Sequence, residues 1–126
     1  YYYNFLKKKK ALKYFYLAKK FGIKDKGQCV IIHKDKVVLS EDENGTDFLI
    51  KKFQNFTCEG KSFLVKTSKP NQSLNIDLPT VGPDTISNMR SVGICGLIVE
   101  SNKTFIVQPK KTYYLIKKYK IFYYAI

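Results

Sequence analysis

The feature that most constrains this chain is its alternation of short β-rich runs with segments of helical character, punctuated by glycine and proline. Ser62-Phe-Leu-Val-Lys-Thr67 is a near-continuous apolar run of the kind found in strands buried on both faces. Gln28 to His33 and Lys36 to Ser40 are two further β-rich runs, joined at Lys34-Asp35 as a hairpin. Gly96 to Glu100 and Thr104 to Gln108 flank a Ser101-Asn102-Lys103 turn, and Ile121 to Ile126 closes the chain as a last strand. Helices are predicted between these runs. The first covers Asn4 to Phe21, with Phe5, Leu12, Phe15 and Ala18 as its apolar stripe and Gly22 as its stop. The second covers Thr46 to Phe56 and opens at Gly45-Thr46-Asp47, where Thr46 or Asp47 is placed to cap it. The third starts at Gly82-Pro83-Asp84-Thr85, turns Ile86 and Met89 inward and stops at Gly93. The fourth spans Pro109 to Lys120. Strands alternating with helices, without repeats or linkers, predict an α/β (mixed α+β) fold: one compact domain around one mixed sheet.

Length and composition exclude several alternatives. At 126 residues the chain suits one core, and its 44% hydrophobic content is incompatible with wholesale disorder. No apolar run approaches the ~18–20 residues of a membrane-spanning helix. Cys29, Cys58 and Cys95 are odd in number and far apart, and His33 is the sole histidine, so neither a disulfide framework nor a structural zinc site is expected. The chain begins at Tyr1 rather than Met and is read as a fragment. Its N-terminus lacks the charge order of a signal peptide, and the sequons at Asn44, Asn55, Asn71 and Asn102 are read as coincidental.

The formal net charge is +13, from 23 basic and 10 acidic residues. Such a charge favours polyanions or anionic surfaces. Arg90 is the sole arginine, however, and nucleic-acid readers rely on arginine for bidentate contacts. No dedicated nucleic-acid partner is expected; a basic module for anionic lipid or nucleic acid stands as the alternative to an enzyme.

Glu59-Gly60-Lys61-Ser62 has the ending of a phosphate-binding loop, but Asn55 stands where its first glycine belongs and a strand follows instead of a helix. His33 reads as an ordinary strand histidine, without a nucleophile beside it. Chemistry concentrates between Lys66 and Thr85. There Lys66 and Lys69 stand three residues apart, a turn carries Gln72, and Asp77 is confined between Ile76 and Leu78-Pro79 before the third helix begins. Lysines and helix amides attract phosphoryl oxygens, and an acid can hold a cation or orient water. A solvated loop with a helix cap explains the same residues as well.

The chain also resembles the C-terminal domain of the LpxI-type UDP-2,3-diacylglucosamine pyrophosphatases of bacterial lipid A synthesis. The resemblance is carried by Asp25-Lys26-Gly27-Gln28, Asn44-Gly45-Thr46-Asp47, Lys66-Thr-Ser-Lys69-Pro70-Asn-Gln72, Asp77-Leu78-Pro79-Thr80-Val81-Gly82 with Thr85, and Gly93-Ile-Cys-Gly96-Leu-Ile-Val-Glu100. It implies a Mg²⁺-assisted hydrolase that splits UDP-2,3-diacylglucosamine into UMP and 2,3-diacylglucosamine 1-phosphate (lipid X). It implies Asp77 as the catalytic acid and a metal ligand, with Asp47 and Glu41 as further metal candidates. Lys66, Lys69, Gln72, Thr80, Gly82 and Thr85 become the substrate-binding candidates. It also implies a cytoplasmic enzyme lying peripherally on the inner face of the cytoplasmic membrane, and it is consistent with a homodimer. The family reads Glu where this chain has Asn44, and family members carry an additional N-terminal domain. A truncated, inactive remnant is therefore the second alternative.

Overall fold

The computed structural model describes residues 2–22, 29–42, 44–54, 61–68 and 79–126. Among these residues four helices and seven strands follow in the order α1 (Tyr2–Gly22), β1 (Cys29–His33), β2 (Lys36–Ser40), α2 (Gly45–Phe53), β3 (Ser62–Lys66), β4 (Thr80–Val81), α3 (Pro83–Val92), β5 (Gly96–Val99), β6 (Phe105–Ile106), α4 (Pro109–Lys118) and β7 (Phe122–Ala125). The main sheet is mixed, in the order β2-β1-β3-β5-β7. β3, β5 and β7 run parallel, while β1 is antiparallel to both of its neighbours. This is the mixed α/β class that the alternation predicts. The strands on either side of Ser101-Asn102-Lys103 do not pair with each other: β5 enters the main sheet, and β6 pairs in parallel with β4 as a separate two-stranded ribbon. A run as short as Phe105–Ile106 has too few ladder groups to announce its partner.

The hairpin turn falls at Lys34-Asp35, and both residues adopt positive φ (51° and 65°), as a two-residue turn matching strand twist requires. α3 begins at Pro83, whose missing N–H costs nothing in the first turn, and ends at Gly93 with φ 83°. At the start of β5, a Cβ on Gly96 would lie 2.3 Å from the Phe63 ring, so only glycine lets these strands pack as they do.

Helices cover both faces of the sheet. On one face Leu49, Ile50 and Phe53 of α2, Ile86 and Met89 of α3, and Leu115 and Ile116 of α4 pack on Cys29, Ile31, Leu64, Leu97 and Val99. On the other, α1 lies over Val30, Ile32, Phe63, Val65 and Ile98. The stripe α1 presents differs from the expected one: Ala11, Tyr14 and Ala18 are buried, Phe15 is half-buried, and Leu12 is 43% exposed. The side chain of Phe5 lies outside the described residues. Ala18 and Phe15 of the expected stripe do turn to the sheet, but Leu12 gives way to Ala11 and Tyr14, since two alanines at helical spacing let α1 approach the sheet more closely than leucine would.

Candidate functional site

In open sheets with parallel strands, ligand sites lie beyond the carboxyl ends of the strands. Here that end carries a polar cleft of about 340 Å³, lined by Glu41, Thr46, Asp47, Lys66, Pro79, Thr80 and Thr85. These residues arrive from several elements. Lys66 is the last residue of β3, Glu41 follows β2, Thr46 and Asp47 sit in the first turn of α2, Thr80 opens β4, and Thr85 lies in the first turn of α3.

Lys66 shares with Leu64 the sheet face that α2 and α3 cover, because strand side chains alternate. Only 4% exposed, it donates from Nζ to the Thr80 carbonyl at 2.5 Å, tying the end of β3 to β4. Its Cα partner across the sheet is Cys29. The buried Cys29 thiol is pushed up to about 12 by burial, against a lowering pull from the Lys66 charge; Glu41 raises it and a Thr46 hydrogen bond lowers it. The thiol therefore stays protonated at neutral pH and is no nucleophile. Lys66 and Glu41, a cation and a carboxylate, both line the cleft.

The hydroxyls are already oriented. Thr46 donates from Oγ1 to Glu41 Oε1 at 3.1 Å, and Thr85 Oγ1 accepts the Gly82 N–H at 3.3 Å. Asp47 Oδ1 accepts from Asn88 Nδ2 of α3 at 3.3 Å. Neither Thr46 nor Asp47 caps α2. The N-cap is Asn44, without a side-chain bond to the helix, and its N–H donates to Asp42 Oδ1 at 2.8 Å. The acidic Asp47 still sits in the first turn of α2, where the positive end of the helix favours it.

A family model for the LpxI C-terminal domain matches residues 6–124. The chain belongs to this family. UDP-2,3-diacylglucosamine pyrophosphatase LpxI of Caulobacter vibrioides is 28% identical over 98 residues, which cover 72% of this chain and 35% of the relative. The chain thus spans about a third of that relative's length.

Among the residues expected to form the LpxI-like site, the fold gathers Glu41, Asp47, Lys66, Thr80 and Thr85 on one cleft, although they span much of the sequence. Gly82 is not among the lining residues; it is the N-cap of α3, and its N–H is engaged by Thr85. Lys69, Gln72 and Asp77 lie outside the described residues. Among the described residues no group of three or more His, Cys, Asp or Glu side chains is placed to hold a metal. Glu41 and Asp47, with the hydroxyls of Thr46 and Thr85, form a hard-oxygen donor set that suits Mg²⁺, an ion that keeps several waters and takes few protein carboxylates.

Sequence reasoning missed Thr46 as a lining residue. Its signal was present, since a threonine beside a helix N-terminus is a polar group aimed at the end of the sheet, but it was assigned to capping. His33 is the structural histidine expected: it is 7% exposed, its Nδ1 lies 2.9 Å from Ser62 Oγ, and its ring meets Phe53 edge-on. No helix among the described residues is long and apolar enough to cross a membrane.

Proposed function

We propose that this chain is the catalytic C-terminal part of a hydrolase that splits the diphosphate of UDP-2,3-diacylglucosamine, releasing UMP and lipid X, in lipid A biosynthesis. The observation that carries the reading is the buried Lys66 ammonium sharing one polar cleft with Glu41 and Asp47. A cation held in place by protein has no solvent shell to reorganise as charge develops on a phosphoryl oxygen, which makes it worth more than an exposed one. The bond from Lys66 to the Thr80 carbonyl fixes its Nζ, which retains further N–H groups for phosphoryl oxygens. Thr85 accepts from Gly82, so its own O–H remains to be donated. Lys69 and Gln72 would add donors, and Asp77 would orient or deprotonate the attacking water.

Mg²⁺ is the cofactor we propose, held by Glu41, Asp47 and Asp77; when bound it would neutralise charge on the diphosphate. The enzyme would work at the cytoplasmic face of the inner membrane, where a diacylated substrate resides.

The test is UMP release from UDP-2,3-diacylglucosamine by the full-length protein and its variants. Lys66→Met and Asp77→Ala should each lower kcat by about 100-fold or more. Turnover within a few-fold of the parent in both variants would overturn the assignment. If residues 1–126 alone release no UMP but do so once the N-terminal part is supplied, the cleft is catalytic yet incomplete by itself. If the full-length protein shows no release at all, the hydrolase reading fails.

A further inference from the structure

A second cavity, of about 910 Å³, lies at the opposite end of the sheet, where β3, β5 and β7 begin. Register fixes its place: Phe63 pairs with Gly96, which pairs with Phe122, and Phe63 and Phe122 both line it. Lys66 is three residues further along β3, roughly 10 Å at ~3.3 Å per residue, and the two cavities share no lining residue. The floor is apolar, made by Ala11, Phe63, Ile116 and Ile121, each at most 8% exposed. The rim is cationic. Lys10 of α1, Lys61 before β3, Lys117 near the end of α4 and Lys120 just after it surround the cavity, and no Asp or Glu among the described residues lines it.

We propose that this cavity binds an anionic amphiphile: an alkyl chain ending in a phosphate. An apolar floor favours a chain removed from water, whereas it offers a bare phosphate nothing beyond the rim. Four ammonium groups around one opening, with no carboxylate among the described lining residues, suit a head group carrying close to two negative charges. A neutral amphiphile would fill the floor and leave that rim unused. The volume falls within the ~300–1,000 Å³ range of small-molecule sites. The proposal is independent of the hydrolytic reading, because Lys66 and Thr85 play no part in it.

Titration calorimetry on the chain of residues 1–126 tests it, with decyl phosphate as probe and decyl maltoside and inorganic phosphate as comparators. Decyl phosphate should bind saturably and about tenfold or more tighter than either comparator. Lys61→Glu combined with Lys117→Glu should weaken it by about tenfold, while Lys66→Met leaves it unchanged. Should the double variant fail to fold, Lys117→Gln alone gives the same reading at several-fold. Amide shifts on binding should centre on Phe63 and Phe122. Equal affinity for decyl maltoside, indifference to the lysine substitutions, or shifts centred on Thr80 and Thr85 would each overturn the proposal.

Discussion

On one face of the main sheet, α2, α3 and α4 pack onto the strands through Leu49, Ile50, Phe53, Ile86, Met89, Leu115 and Ile116. On the other face α1 is the one helix of the described residues on the sheet, packed through Ala11, Tyr14 and Ala18, and directional bonds hold it at the middle and the C-terminal end of that contact. Tyr14 donates to Asp35 in the hairpin turn, and Lys19 Nζ stands 2.8 Å from Glu100 Oε1 beyond β5. Three helices can fill a face by volume. A single helix packed through alanines buries less side chain, and its position along the strands is left to polar ties. The face filled by volume carries the cleft, since α2 and α3 both turn their first turns towards the end of β3.

The largest effect should come from the filled face. Phe53 is completely buried and packs in the centre of that cluster. Phe53→Ala removes an aromatic ring that no rearrangement of three helices can replace, and should cost about 3–5 kcal/mol in urea unfolding. If it costs less than the polar substitutions on the α1 face, the contrast between the faces is wrong.

The same contrast explains how much was legible in the sequence. The α3 face followed from Ile86 and Met89, and its ends from Pro83 and Gly93, because those residues act through local backbone geometry. The α1 stripe followed only in part: Ala18 is buried as expected, but Ala11 is inconspicuous until the distance to the sheet is known. For the cleft, residue type marked Lys66, Glu41 and Asp47 as candidates through the family resemblance, but spacing alone left them unconnected. Only the order β2-β1-β3, with β1 antiparallel to both neighbours, sets the end of β2 at the same edge of the sheet as the end of β3, and sheet order is a long-range property.

An intermediate effect is expected at Glu100. Its side chain is 11% exposed, and it accepts hydrogen bonds from the Ser68 N–H at 3.2 Å and the Ser68 hydroxyl at 3.1 Å as well as facing Lys19. Lys103 approaches its other oxygen at 3.5 Å. Glu100→Ala should cost about 2 kcal/mol, the range for hydrogen bonds to a charged group. Burial alone would push the Glu100 carboxyl up, but Lys19 and the Ser68 N–H hold it below its ordinary 4.5. A folded-state value below the unfolded one means the stabilisation is complete above about 4.5 and is lost as pH falls through the folded-state value. Unfolding free energy measured across that acid range should fall in the parent and fall less steeply in Glu100→Gln. Identical slopes would remove Glu100 from the account of how α1 is held.

The smallest effect is expected at Tyr14. Its ring is 2% exposed and lies 4.9 Å from the Phe63 ring, so Tyr14→Phe keeps the packing and deletes only the hydroxyl. The partner, Asp35, is exposed and returns to water when the hydroxyl is gone, so little stability should be lost, and less than in Glu100→Ala. The informative readout is the partner's titration. The Tyr14 hydroxyl is the main reason the Asp35 carboxyl sits below its ordinary 3.8; loss of hydration opposes it, and Lys13 and Lys10 assist. In Tyr14→Phe the Asp35 carboxyl carbon, followed by NMR, should titrate closer to 3.8 than in the parent. An unchanged titration would show that the hairpin turn and α1 are not joined by this bond. A loss of stability as large as that of Phe53→Ala would show instead that the tie at the middle of the contact does more than orient the helix, and that both faces depend on their polar and apolar contacts alike.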